Sequence, residues 1–234
     1  MKKLFIFLSF LFAIQLSSQE NYWTSYNFIV EPQNEATVIK LTDDYFKAHK
    51  QEGVTVSLWE NHFNDSENNF THSIVFSGSF DALGAQYSSG PSDAWALFLT
   101  RLNQHIEKGF SSAMGNGIAS YGDENEEYPV RRLFLSHVSD PAAYTASFKE
   151  FNSKHNPKGR LIFLGQINSG HSPEGETHFI VTGFKDFKAA IGGVSKLVPE
   201  ENKKAFQKAW QESRESRGDV KLIRSSTRVR LGKW

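Results

Sequence analysis

Two copies of a Thr-His dipeptide, Thr71-His72 and Thr177-His178, are the residues of this 234-residue sequence best suited to chemistry. An imidazole can donate a proton, accept one or bind a metal near neutral pH. Both dipeptides begin apolar segments of the kind that form half-buried strands, in which every second side chain shares a face. We therefore expect His72 and His178 to contact a ligand, with His178 as the polar group of the more open pocket.

Trp59 and Asn61 complete the candidate ligand-binding residues. If each hairpin turns at the middle of its polar loop, Trp59 lies opposite His72 on the neighbouring strand, and Gly165 lies opposite His178. A tryptophan would fill the space beside the first histidine, whereas a glycine would leave space beside the second. The sequence therefore predicts two unequal pockets.

Both histidines also have a structural interpretation. A half-buried strand histidine that hydrogen-bonds to a neighbour needs no ligand, and its presence in both copies could reflect packing and common ancestry. No cofactor and no metal are indicated, because the sequence has no cysteine and each copy offers only two histidines near its hairpin, whereas a zinc site takes three or four ligands. No catalytic residue can be assigned.

Basic residues gather towards the C-terminal end of the sequence. A solvated surface explains such a run most simply, since charges usually face water, and an anion-binding patch is the alternative. The residues concerned are Arg214, Arg217, Lys221, Arg224, Arg228 and Arg230.

Composition limits the classes of function. Lys and Arg number 26 and so do Asp and Glu, and this balance argues against a general nucleic-acid binder. Aromatic residues make up 14% of the sequence, 20 of them Phe, which is enough for a large core. The absence of cysteine excludes disulfides and thiolate nucleophiles.

The N-terminal segment 1–19 has the pattern of a signal peptide. Lys2 and Lys3 precede the apolar run 4–16, and Ser17 and Ser18 supply small residues near a cleavage point. A membrane anchor is the alternative, but the run is shorter than the ~20 residues that span a bilayer. We expect an exported protein of the bacterial periplasm or exterior, free of the membrane after cleavage.

The rest of the sequence resembles one unit written twice. Residues 28–76 and 134–182, compared without gaps at an offset of 106, share ten identities, among them the two Thr-His dipeptides. Unrelated sequences of ordinary composition would share about three. Fixed-period similarity is typical of repeated units. We expect a first unit at 20–122, a linker at 123–130 and a second unit at 131–234.

Each unit follows the order strand, helix, strand, strand, helix, strand. The first is predicted to comprise a strand at 26–30, a helix at 34–51, strands at 54–62 and 70–77, a helix from Ser92 closed by Gly109, and a strand at 113–121. The second is predicted to comprise a strand at 132–138, a helix from Asp140, strands at 160–167 and 176–182, a helix from Pro199, and a strand at 220–231.

This order is that of the ferredoxin-like split βαβ unit, which leaves one face of its sheet uncovered. The sequence thus resembles the dimeric α/β-barrel superfamily in a tandem, fused form. The resemblance implies an α+β fold in which two βαββαβ units face each other around a central cavity. Members of the superfamily include cofactor-free monooxygenases, haem-degrading enzymes, stress-response proteins and non-enzymatic binders, so the resemblance implies a shape rather than a reaction.

Two functions follow as hypotheses. The first is an exported, non-catalytic module that binds a small, partly apolar ligand or a protein partner through the cavity. The alternative is a cofactor-free, monooxygenase-like enzyme acting on an aromatic substrate, which the protein would orient and shield from water. A cavity lined by convergent polar groups would favour the enzyme, and one plugged by Trp59 and phenylalanines would leave only the outer surface for binding.

Overall fold

Eight strands form a closed barrel. The computed structural model describes residues 21–65, 69–123 and 125–234. The strands are β1 (Tyr22–Ile29), β2 (Val54–Phe63), β3 (His72–Gly78), β4 (Lys108–Tyr121), β5 (Val130–Val138), β6 (Arg160–Ser169), β7 (His178–Phe184) and β8 (Val220–Lys233). All neighbouring pairs are antiparallel, and the order around the barrel is β1-β3-β2-β8-β5-β7-β6-β4. The predicted α+β class and the barrel are confirmed.

Six helices pack outside the barrel. They are α1 (Glu35–Ala48), α2 (Phe80–Ser88), α3 (Asp93–Asn103), α4 (Pro141–His155), α5 (Phe187–Gly192) and α6 (Lys203–Ser216). Short 3-10 turns at Pro32–Asn34 and Glu200–Asn202 lead into α1 and α6. No helix of the described residues is long and apolar enough to cross a membrane. The predicted signal peptide, 1–19, lies outside those residues.

Local capping explains where several helices begin. The Ser92 side chain accepts a hydrogen bond from the Trp95 backbone N–H at 3.1 Å, and Asp140 accepts one from Ala143 at 3.0 Å, as expected of N-caps. Helices α2 and α5 were not predicted. Their caps, Ser79 and Asp186, make the same kind of bond, and this pattern could have revealed both helices.

The predicted boundary between α3 and β4 is wrong. Gly109 was expected to close the second helix, but α3 ends at Asn103 and Gly109 lies within β4, paired with Phe28 of β1. β4 is consequently 14 residues long. It can reach along both β1 and β6 and so closes the barrel.

Side chains alternate between the barrel interior and the helix-covered exterior. On the outer face, Leu58, Ile74 and Phe76 pack in one buried cluster with residues of α1 and α3, including Phe46 and Phe98. The residues between them on the same strands point inward. Every strand therefore contributes one apolar face to the outer core and one face to the barrel interior.

The offset of 106 residues does not bring structurally equivalent residues together at the first strand of each half. Phe28 of β1 lies opposite His72, whereas the residue opposite His178 is Ser136. Phe134, which the comparison matched to Phe28, lies opposite Ile180 instead. From the residue opposite the histidine to the N-cap of the following helix, the first half has two more residues than the second half, which accounts for the difference.

Candidate functional site

The hairpin register is one residue away from the predicted one. His72 lies opposite Glu60, and His178 lies opposite Gln166. A one-residue slip exchanges the two faces of a strand. Trp59 instead lies opposite Ser73 and points into the barrel. The prediction that Trp59 faces His72 and Gly165 faces His178 is therefore wrong.

Both histidines lie on the outer face, beneath the helices. His72 is 3% exposed and stacks on Phe28, with its Nε2 3.8 Å from Glu35 of α1. His178 is 2% exposed and meets the ring of Tyr144 in α4. Neither lines the central cavity. A ligand-binding role for them stays a prediction that the cavity does not support.

The threonines of the two Thr-His dipeptides form hydrogen bonds near the ends of neighbouring strands. Thr71 Oγ1 accepts a hydrogen bond from the Val30 N–H at 2.8 Å, and its hydroxyl contacts His72 Nδ1 at 2.9 Å. Thr177 makes the same pair of contacts, with the Val138 N–H and with His178 Nδ1. These bonds favour the structural interpretation of the repeated dipeptide.

The barrel encloses a cavity of about 900 Å³, within the range of small-molecule sites. Its walls come from both halves of the sequence. The aromatic residues that line it are Trp23, Trp59, Phe70, Phe110, Phe163 and Phe179. Trp23 and Phe179 meet edge to face, with ring centroids 5.0 Å apart. The cavity is thus suited to a flat, partly aromatic molecule.

Glycines on the inner face make room for these rings. A Cβ atom on Gly165 would lie 2.3 Å from the ring of Phe179, and one on Gly117 would lie 2.9 Å from the ring of Phe163. The space in front of Gly165, predicted to be a pocket, is therefore occupied by Phe179. The roomier pocket expected for the second half does not exist in that form.

One end of the cavity carries a pair of arginines. Arg131 of β5 and Arg228 of β8 are direct cross-strand partners, and both line the cavity. Cβ atoms of such partners lie ~5 Å apart. Arg131 also lies over the ring of Trp59, 4.6 Å from its centroid, and Arg228 lies over Phe70 at 5.6 Å. Two cations and two aromatic rings therefore meet at this end.

Burial lowers the pKa of both guanidinium groups. The pKa of Arg131 falls to about 10, chiefly through burial, with further lowering by the charges of Arg230 and Arg228 and partial compensation by Glu127. Burial lowers the pKa of Arg228 to about 10 as well. Both side chains remain cations at neutral pH, in surroundings that disfavour the charge.

Three polar atoms of the cavity lining have no hydrogen-bond partner among the described residues. Among the described residues, no hydrogen bond reaches Trp23 Nε1, Arg224 Nε or Arg228 Nε, although all three are buried. Buried donors in folded proteins are normally satisfied. These donors all belong to residues that line the cavity, so they can serve a bound molecule.

The other end of the cavity is covered by the loop between β6 and β7. Arg224 donates to Glu174 Oε2 at 2.5 Å, and the buried Glu176 accepts hydrogen bonds from the backbone and hydroxyl of Ser172. His171 donates from Nε2 to the Ile167 carbonyl at 2.9 Å, which leaves Nδ1 unprotonated in the neutral ring. Unlike the arginine pair, the arginine at this end has carboxylates beside it.

Of the residues predicted for the site, Trp59 lines the cavity and Asn61 adjoins it. Asn61 is 8% exposed, pairs in register with Arg228, and donates from Nδ2 to the Phe70 carbonyl at 3.1 Å. Arg131 was missed. Its alternation with Leu133 and Leu135, which also line the cavity, is the signal that could have identified it as an inward-facing residue.

Two of the clustered C-terminal basic residues belong to the site. Arg224 and Arg228 line the cavity, whereas Lys221, an exposed residue nearer the start of β8, does not.

The described residues contain no group of three or more His, Asp or Glu side chains able to hold a metal ion.

A second cavity, of about 920 Å³, lies outside the barrel between the sheet and helices of the first half. Nine of its lining residues are Phe, Tyr or Trp, including Tyr45, Tyr87, Trp95 and Trp234. Among the described residues, its lining includes no arginine and no carboxylate. We therefore place the candidate site in the barrel interior, where charged and aromatic groups converge.

Comparison with solved structures identifies the fold. The protein is similar to a candidate monooxygenase from Lactobacillus acidophilus NCFM, with a TM-score of 0.59, 12% identity, and coverage of 92% of this chain and 95% of that chain. A candidate monooxygenase from Fusobacterium nucleatum gives a TM-score of 0.58 at 15% identity, covering 92% and 94%. An anthrone oxidase-like protein gives 0.53 at 11%, covering 93% and 94%.

These neighbours are dimeric α/β barrels, and the chain has that fold. The resemblance stated from the sequence is confirmed at this level. At such low identity the comparison defines the architecture and carries no reaction with it. No protein-family model and no curated protein matches the sequence.

Proposed function

We propose that this protein is an exported binding protein that holds a small, partly aromatic molecule inside its barrel. The observation that carries the proposal is the cavity of about 900 Å³ with aromatic walls. Trp59 does not plug it, and glycines at 117 and 165 leave room for the rings that line it. Export rests on the signal-peptide pattern of residues 1–19.

Filling the cavity tests the proposal. Val181 lines the cavity from the middle of β7, so Val181→Trp should place an indole where the ligand binds. We expect calorimetry to detect binding of 2-naphthoate or 2-naphthamide to the wild-type protein and not to this variant. Ile191→Trp adds the same group at a position 76% exposed and serves as the matched control. Absence of binding to the wild type, or equal binding to both variants, would contradict the proposal.

Oxygenation of an aromatic substrate is the second candidate. It is favoured by His171, which lines the cavity and has Nδ1 free to accept a proton. The names of the structural neighbours agree with it. In the reaction of an anthrone, two C–H bonds of its CH2 group would break and a carbonyl would form. One atom of O2 would enter the product, and the other would leave as water with both hydrogens.

Oxygen uptake separates the two candidates. An oxygenase would consume O2 with anthrone as the probe, and His171→Gln would abolish the uptake. His137→Gln, which changes an exposed histidine whose Nδ1 contacts the Gly175 carbonyl near the same loop, would leave it unchanged. Binding of naphthalene probes without uptake of O2 would favour the binding protein.

We also infer that the barrel descends from a duplicated βαββαβ unit. The first four strands are ordered β4-β1-β3-β2 and the last four β8-β5-β7-β6, so each set has the same internal order. Matching hairpin pairs, Glu60 with His72 and Gln166 with His178, support equivalence of the halves. The units would then be 20–122 and 131–234, joined through 123–130.

A further inference from the structure

We propose that the molecule bound in the barrel is an aromatic carboxylate whose carboxylate group is held between Arg131 and Arg228. This inference rests on the proposed binding function and adds the chemical class of the ligand. The two residues are direct partners across β5 and β8 on the inner face. Like charges in this position repel each other, and a bound anion would remove that repulsion.

The described residues supply little negative charge beside the arginine pair. Arg131 donates from Nε to the Tyr128 carbonyl at 3.3 Å, and Arg228 Nε has no partner among the described residues. The nearby carboxylate, Glu127, bonds to Arg230 and to Lys233. Since it is shared by those two cations, it compensates the charge of Arg131 only in part.

The contrast with Arg224 strengthens the assignment. Arg224 lies four residues before Arg228 on the same strand and the same face, about 13 Å away at ~3.3 Å per residue. It has its own carboxylate partner, Glu174, at 2.5 Å. Among the described residues, the lining therefore has a cation paired with a carboxylate at the loop end and a pair of arginines without such a partner at the Trp59 end, so the pair is the place for an external anion.

The geometry of arginine selects the kind of anion. A guanidinium group presents parallel N–H donors that match the two oxygens of a carboxylate. The surrounding rings, Trp59 over Arg131 and Phe70 over Arg228, restrict the adjoining space to flat, apolar groups. A carboxylate attached to an aromatic body satisfies both requirements.

Calorimetry with two probes of the same shape tests the inference. The wild-type protein should bind 2-naphthoate at least about tenfold more tightly than 2-naphthamide, because a charge-assisted hydrogen bond is about twice as strong as a neutral one and that difference is worth about tenfold in affinity. Arg228→Gln and Arg131→Gln should each reduce the preference to near unity. Arg132→Gln is the matched control, since Arg132 lies on the same strand with its guanidinium over Phe184 on the outer face.

The outcomes separate this inference from the proposed function. Equal affinity of the wild type for both probes would overturn the carboxylate assignment and leave the binding function intact. Binding of neither probe would overturn both. Tighter binding of 2-naphthyl phosphate than of 2-naphthoate, by tenfold or more, would contradict the choice of a carboxylate. If an arginine variant fails to fold, which its thermal melting would show, the preference of the wild-type protein for 2-naphthoate over 2-naphthamide still tests the carboxylate assignment.

Discussion

Gly165→Ala tests how closely the aromatic wall is packed against the barrel strands. The added Cβ would lie 2.3 Å from Phe179 Cζ, 2.5 Å from its Cε1 and 3.0 Å from Phe163 Cε1. The ring of Phe179 must therefore move towards the cavity and give up part of its edge-to-face contact with Trp23. Overpacking of this kind costs about 1–3 kcal/mol.

Two effects place the expected cost in the lower part of that range. The clash involves the tip of a side chain beside open space, and replacing glycine by alanine restricts the unfolded chain, which offsets about 0.4–1 kcal/mol. We expect a net loss of about 1–2 kcal/mol in the free energy of unfolding. For a chain of 234 residues this corresponds to a Tm lower by about 3–6 °C.

The assay is a double-mutant cycle in which the free energy of unfolding is measured by urea titration. Phe179→Leu removes the ring tip, so Gly165→Ala should cost at least about 1 kcal/mol less in that background. Gly84→Ala is the control, because a Cβ there meets nothing within 4 Å and α2 should become slightly more stable. Additive effects in the cycle, or an unchanged Tm for Gly165→Ala, would refute the packing described here.

The remaining predictions concern the buried histidines and Trp59. Burial lowers the folded-state pKa of His72 and His178 below the ordinary 6.5, so the unfolded chain takes up protons first and stability should fall as the pH drops below about 6.5. The double variant His72→Gln, His178→Gln should lose less stability between pH 7.5 and 5.5 in urea titrations, and an identical loss would contradict this. Trp59→Ala should cost about 3–5 kcal/mol, because the side chain is 4% exposed. It should also weaken 2-naphthoate binding in calorimetry, whereas His178→Ala should not; the reverse pattern would place the ligand on the outer face.

Much of the architecture could be predicted because hydrophobic pattern and capping residues act locally. Asp140 and Ser92 mark their helices through bonds to the N–H three residues on, and such signals are visible in the sequence. The short helices α2 and α5 were missed because neither has an apolar stripe long enough to show a helical period. Their caps alone indicated them.

The candidate site was harder to predict, since it depends on strand register. Trp59 was predicted for the site and lines the cavity, whereas the two histidines lie on the outer face, because the hairpin register differs from the predicted one by one residue. The pairing of Arg131 with Arg228 joins residues 97 positions apart in the sequence. No local pattern contains this contact, so the cationic pair became recognisable only from the closed barrel.

Strand β8 contributes both to the closure of the barrel and to the candidate site. It is the last of the eight strands in the chain, and it pairs with β5 on one side and with β2 on the other. Until it is in place, one side of the barrel is unsealed, and Arg228 is missing from the site. Displacement of β8 would therefore open the barrel beside β2 and remove Arg228 from the proposed anion site at the same time.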